Sequence, residues 1–147
     1  MNLPKEFEYY IKNKIVNDGP INKSRAEFLI KESQNSFEGI NERVLKMGID
    51  NKNANSIIKD CYDAIMELIR AKMLLNGLNA SGSYAHEAEV SYLGKMGFPE
   101  DDIRFMNELR YHRNSITYYG KILNKEYAET VVGFLEKIYP KLKKALK

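Results

Sequence analysis

The chain has 147 residues, of which 44% are hydrophobic and 29% charged, so it is long enough for one buried core and too apolar for a disordered segment. Its 9 glycines and 4 prolines are too few for a β-sandwich or barrel, which needs frequent turns. The formal net charge of +3 permits nucleic-acid binding but does not require it.

The first part of the chain is predicted to form a short helix followed by a long one. Residues 1–20 are interpreted as a helical extension that ends in an Asp-Gly-Pro turn. Ser24 and Glu27 have the spacing of a capping box, which predicts the start of the long helix. Gly48 suits its left-handed C-terminal cap. One stripe of this helix is expected to face inward: Leu29, Ser33, Phe37, Ile40, Val44 and Met47.

Four further helices are predicted in chain order. The first, over 55–76, carries two adjacent apolar rows and is therefore expected to be central. A shorter helix over 84–96 and a longer one over 99–119 follow, the latter opened by a proline and acidic residues. Asn124 is expected to open the last helix, which Pro140 kinks or ends.

These elements predict an all-α fold. We expect a bundle of four to five main helices over 21–147, plus a short N-terminal helix. No segment shows convincing apolar–polar alternation, so no strand is predicted. The wide apolar surface of the central helix leaves room for a partner, such as a second copy of the chain.

The helix over 99–119 carries a strip of polar side chains beside its apolar seam. At about 100° per residue, the seam comprises Phe105, Leu109, His112, Ile116, Tyr119 and Leu123. The adjacent arc comprises Arg113, Thr117, Arg110, Asn114 and Tyr118. Guanidinium forks, an amide and hydroxyls together suit a phosphate. The alternative is a set of contacts between helices, in which Arg110 and Arg113 pair with Glu87 or Glu89.

The same segment resembles a known family. Leu109-Arg110, then Arg113-Asn114, Ile116 and Tyr118-Tyr119-Gly120, are similar to the motif helix of the HEPN domain (higher eukaryotes and prokaryotes nucleotide-binding). The helix start at 83–88 and the order of helices extend the resemblance over about residues 22–147. The resemblance implies that the helices form an up-and-down bundle, and that two copies form a homodimer whose motif helices meet at a cleft. Many members are metal-independent endoribonucleases, often toxins paired with a nucleotidyltransferase antitoxin.

The sequence departs from the HEPN motif at its histidine. Arg113 matches the motif arginine and Asn114 the polar residue, but the histidine positions are occupied by Tyr118, Tyr119 and Gly120. A tyrosine of ordinary pKa is ionised in only about one molecule per thousand at pH 7, so it is a poor general base. Of the two histidines in the chain, His112 is expected to pack in the core seam. No spacing places the other, His86, at the cleft.

Three hypotheses of function follow. The first is an RNA- or nucleotide-binding domain with a degenerate, non-catalytic site formed by Arg110, Arg113, Asn114 and Tyr118. The second is a divergent metal-independent endoribonuclease of toxin–antitoxin type, with Arg113, Asn114 and Tyr118 as catalytic residues or with His86 as the base. The third is a protein-interaction module that pairs with a nucleotidyltransferase.

Cofactors, membrane partners and an oxidising compartment are not expected. The histidines and Cys61 are too isolated for a metal site, and Gly82 and Gly94 lack the neighbours of a phosphate-binding loop. Cys61 lies in an apolar row, so a buried structural thiol is predicted. The charged N-terminus, the lack of a long apolar run and the lone cysteine together predict a cytoplasmic protein.

Overall fold

The computed structural model describes residues 2–147 and confirms the predicted all-α fold. Its elements are α1 (Phe7–Lys12), β1 (Val16–Asp18), α2 (Lys23–Met47), α3 (Ala54–Leu75), β2 (Leu78–Ala80), α4 (Ala85–Ser91), α5 (Glu100–Tyr119) and α6 (Lys125–Ala145). A single turn of 3₁₀ helix, Tyr92–Gly94, follows α4 and breaks the predicted 84–96 helix in two. No helix within residues 2–147 is both long and apolar enough to cross a bilayer.

Helix α3 lies at the centre of the bundle and contacts α2, α4, α5 and α6. Its two predicted apolar rows are buried almost throughout, as expected for a helix with neighbours on several sides. Cys61 belongs to one of these rows and is fully buried, as predicted. Burial raises the pKa of its thiol to about 12, so the thiolate that reactive cysteines need is disfavoured.

Two short strands, which the sequence did not predict, join the N-terminal segment to the end of α3. β1 and β2 pair antiparallel, with Val16 opposite Ala80 and Asp18 opposite Leu78. Strands of three residues are too short for alternation to be recognised. Of the helical extension predicted over 1–20, only Phe7–Lys12 is helical among the residues that the structure describes. Phe7, Tyr10 and Val16 are buried in the same core as α3, so this segment packs as part of the bundle.

The start of α2 differs from the predicted capping box. The side chain of Asn22 caps the helix by accepting a hydrogen bond from the Arg25 backbone N–H at 3.1 Å. Ser24 therefore lies inside the first turn, because the asparagine two residues earlier is the cap and satisfies one of the free N–H groups of that turn. Met47, expected on the inward stripe, is exposed at the other end of the helix.

The last helix begins as predicted. The side chain of Asn124 accepts a hydrogen bond from the Tyr127 backbone N–H at 2.9 Å. Pro140 lies inside α6 and does not end it, since the helix continues to Ala145. The proline removes one backbone donor, and the buried apolar face on both sides of it holds the two halves against the core.

Candidate functional site

A groove opens between the start of α4 and the second half of α5. It consists of two adjoining depressions of about 380 and 290 Å³. One wall is formed by residues 82–87 and the other by six α5 side chains: Arg110, Tyr111, Asn114, Ser115, Tyr118 and Tyr119. We call this the α4–α5 groove. Arg110, Asn114 and Tyr118 are spaced four residues apart, so they form one line along α5.

The guanidinium of Arg110 is held in a defined position at the groove. Its Nε donates a hydrogen bond to Asn107 Oδ1 at 3.1 Å, and its Nη2 lies 3.5 Å from Glu87 Oε1. The side chain is only 14% exposed. Pairing of Arg110 with Glu87 was the structural alternative to ligand binding in the sequence analysis. The structure contains this ion pair, which places an anion beside the guanidinium. The groove therefore presents an oriented ion pair rather than an isolated positive charge.

Arg113 lies on the α3 side of α5, away from the line of residues in the groove. Its Nη2 is 3.9 Å from Asp63 Oδ1, and its guanidinium carbon is 5.6 Å from the centre of the Tyr62 ring. Its Nε is buried without a hydrogen-bond partner among residues 2–147. The predicted polar strip covers about 140° of the helix circumference, which is too wide an arc to face one groove. Arg113 and Arg110 consequently contact different neighbours.

His86 reaches the groove, although no spacing in the sequence placed it there. It lines the same depression as Arg110, Asn114 and Tyr118. Partial desolvation lowers the pKa of its imidazole, and the nearby Glu89 carboxylate opposes that shift. A neutral imidazole at pH 7 is able to accept a proton.

The second histidine lies outside the groove. His112 packs edge-on against Tyr127, with 4.8 Å between the ring centres, as expected for a residue of the seam. Tyr119, also predicted in the seam, is 84% exposed at the end of α5, so that part of the prediction is wrong.

Four tyrosine rings surround the groove and are 56–84% exposed: Tyr84, Tyr111, Tyr118 and Tyr119. Sequence reasoning selected only Tyr118 as a ligand-binding residue. Tyr111 lies one turn before Ser115 and two turns before Tyr118, so its place in the groove could have been found from helical spacing. Tyr84 belongs to the α4 side, and only the packing of α4 on α5 brings it near the others.

Neither metal clustering nor similarity to known proteins adds to this description. Among residues 2–147, no group of three or more His, Cys, Asp or Glu side chains is arranged to hold a metal ion. No family model, no curated protein and no solved structure matches the chain at a significant level.

Proposed function

We propose that this chain is a HEPN-like domain that binds single-stranded RNA or a nucleotide in the α4–α5 groove without cleaving it. The observation that carries the proposal is the combination of one guanidinium, one carboxamide and four exposed tyrosine rings on a single groove. Arg110 supplies the charge and Asn114 supplies a donor and an acceptor for a base edge. The resemblance of α5 to the HEPN motif helix points to the same class of ligand.

The exposed tyrosines favour unpaired bases. A cluster of exposed aromatic rings is unfavourable in water unless a ligand covers it. Splayed bases of single-stranded RNA stack on such rings, whereas a duplex buries its base faces and offers mainly phosphates and 2′-hydroxyls. This groove has several tyrosines and one arginine whose charge is already paired with Glu87. It therefore suits an unpaired base better than the phosphate backbone of a duplex.

Arg110 retains donors for a ligand. Asn107 and Glu87 contact Nε and Nη2, and within residues 2–147 no hydrogen bond is made by Nη1. A phosphate or a base edge is able to accept from these remaining N–H groups. A larger depression of about 450 Å³ lies between β1 and the start of α2, but its lining contains no aromatic residue. It therefore suits a base less well.

Replacing Tyr118 with alanine should weaken binding of a short fluorescein-labelled single-stranded RNA about tenfold, because stacking on one aromatic ring contributes about 1–3 kcal/mol per base. Fluorescence anisotropy measures the dissociation constant, and unlabelled AMP and GMP serve as competitors that separate nucleotide from RNA binding. Phe28→Ala is the control, since Phe28 is a similarly exposed aromatic residue on α2. Absence of binding to wild type, or equal losses in both variants, would contradict the proposal.

A second candidate function, metal-independent RNA cleavage, is favoured by the position of His86 in the groove. The neutral imidazole would accept the proton of a 2′-hydroxyl, whose oxygen attacks the adjacent phosphorus as the bond to the 5′-oxygen breaks. The products are a 2′,3′-cyclic phosphate and a 5′-hydroxyl that takes up a proton. Arg110 would stabilise the charge that develops on the phosphate oxygens.

If the groove cleaves RNA, cleavage should persist in EDTA and fall about 100-fold or more in His86→Ala, as expected for loss of a general base. His112→Ala should retain activity, because His112 packs against Tyr127 outside the groove. Denaturing electrophoresis of mixed-sequence RNA measures the rate. Intact RNA with wild-type protein, or equal loss in both histidine variants, excludes this candidate.

A further inference from the structure

We infer that the N-terminal segment, residues 2–12, positions the guanidinium of Arg110 and so forms part of the ligand-binding site. This inference rests on the proposed role of Arg110 in the α4–α5 groove. Two separate chains of contacts, which we call relays, run from the segment to different nitrogens of that side chain. One consists of hydrogen bonds throughout, and the other consists of hydrogen bonds followed by an ion pair. The residues they join are far apart in sequence, so the connection exists only in the folded protein.

The first relay passes through the buried side chain of Asn107. Its Nδ2 donates to the backbone carbonyl of Asn2 at 2.7 Å, and its Oδ1 accepts from Arg110 Nε at 3.1 Å. An amide has a donor end and an acceptor end, so whichever group fixes one end fixes the other. The Asn2 carbonyl holds the NH₂ end. Without that carbonyl the amide is free to turn over and face Arg110 Nε with a second donor.

The second relay passes through Tyr10 and Glu87. The Tyr10 hydroxyl accepts a hydrogen bond from the Lys5 backbone N–H at 3.1 Å and donates one to Glu87 Oε2 at 2.8 Å. The other carboxylate oxygen, Oε1, lies 3.5 Å from Arg110 Nη2. Burial, and then the bond to Glu87, raises the pKa of Tyr10, so its hydroxyl keeps the donated proton throughout the ordinary pH range. The carboxylate is therefore oriented by the N-terminal segment.

Together the relays restrain Arg110 at Nε and Nη2, and Nη1 makes no hydrogen bond within residues 2–147. The segment is able to act as a fixed support because Phe7 and Tyr10 are buried in the main core. A long side chain that is ordered before binding loses less conformational entropy on contact with its ligand. We therefore expect Arg110 to bind the ligand more tightly when the N-terminal segment makes these contacts than when the contacts are removed.

Tyr10→Phe should weaken binding of the labelled single-stranded RNA about threefold to tenfold, because it removes one hydroxyl and keeps the packed ring. Tyr10→Phe combined with Arg110→Met should bind no more weakly than Arg110→Met alone, since the hydroxyl acts through that arginine. Tyr139→Phe is the matched control, because it removes a buried hydroxyl that contacts Ser33 at 2.9 Å on the α2–α6 side. Equal losses in Tyr10→Phe and Tyr139→Phe, or additive losses in the double variant, would overturn the inference.

A second measurement needs no ligand. The ¹⁵N relaxation order parameter of the Arg110 Nε–H bond should fall in Tyr10→Phe and in Asn107→Ala, and should stay unchanged in Tyr139→Phe. An unchanged value in the first two variants would overturn the inference. If Arg110→Met leaves RNA affinity intact while the order parameter falls as expected, the proposed function fails and the positioning role stands. If Arg110→Met weakens RNA binding but Tyr10→Phe does not, only the inference fails.

Discussion

Replacing Arg70 with methionine should lower the free energy of unfolding by about 3–5 kcal/mol, because it leaves a buried carboxylate without its partner. Arg70 on α3 donates from Nε and Nη2 to the two carboxylate oxygens of Glu89 on α4, at 2.8 and 3.0 Å. Glu89 is only 3% exposed, so water cannot replace the lost donors. Urea unfolding followed by circular dichroism measures the change as a lower midpoint.

A matched ion pair elsewhere provides the control for this prediction. Arg43 and Asp60 are joined at the same distance, 2.8 Å, but their side chains are 30% and 45% exposed. Arg43→Met should therefore lower stability by about 1 kcal/mol or less. The double variant Arg70→Met with Glu89→Met should recover most of the loss, since the unpaired charge is gone. If Arg70→Met and Arg43→Met lower the free energy of unfolding by similar amounts, burial is not the cause. The same follows if the double variant is no more stable than Arg70→Met.

The Arg70–Glu89 pair matters for the groove because α4 has only seven residues and cannot be stable alone. Side-chain contacts therefore set its position. Glu89 ties it to α3, and Glu87 ties it to α1 through Tyr10. The wall of the groove that carries Tyr84 and His86 thus depends on the contacts that Glu87 and Glu89 make with α1 and α3.

Helix positions could be predicted from the sequence wherever a wide apolar face or a clear end signal was present. The double row of α3 predicted a central helix, and Asn124 predicted the start of α6. The start of α2 was misplaced because Ser24 and Asn22 both offer a capping oxygen, and local pattern does not rank them. The two strands were missed because their pairing joins residues that are 60 to 64 positions apart.

The lining of the α4–α5 groove was predicted in part. Helical spacing correctly grouped Arg110, Asn114 and Tyr118, since residues four apart share a face. It could not assign Arg113 to a different neighbour, because the spacing does not tell which helix packs on which side. The tyrosine and asparagine that link the N-terminal segment to Arg110 were beyond sequence reasoning, since those contacts join residues 77 and 105 positions apart.

Arg110→Met should weaken binding of the labelled single-stranded RNA by about tenfold to a hundredfold, since hydrogen bonds to a charged group contribute about 1.5–3 kcal/mol. Arg113→Met should change affinity by about twofold or less, because its guanidinium faces Asp63 and Tyr62 on α3. The two variants remove the same charge from the same helix, so each controls for the other. Methionine keeps much of the side-chain packing volume in both cases.

The salt dependence of binding separates the two arginines more sharply than affinity alone. Each phosphate contact to single-stranded nucleic acid contributes about −0.7 to the slope of log K against log salt concentration. Arg110→Met should therefore reduce the magnitude of this slope by about 0.7, whereas Arg113→Met should leave the slope unchanged. A larger effect at Arg113 on both affinity and slope would mean that the ligand binds on the α3 side of α5. The position of Arg113, rather than the α4–α5 groove, would then mark the site.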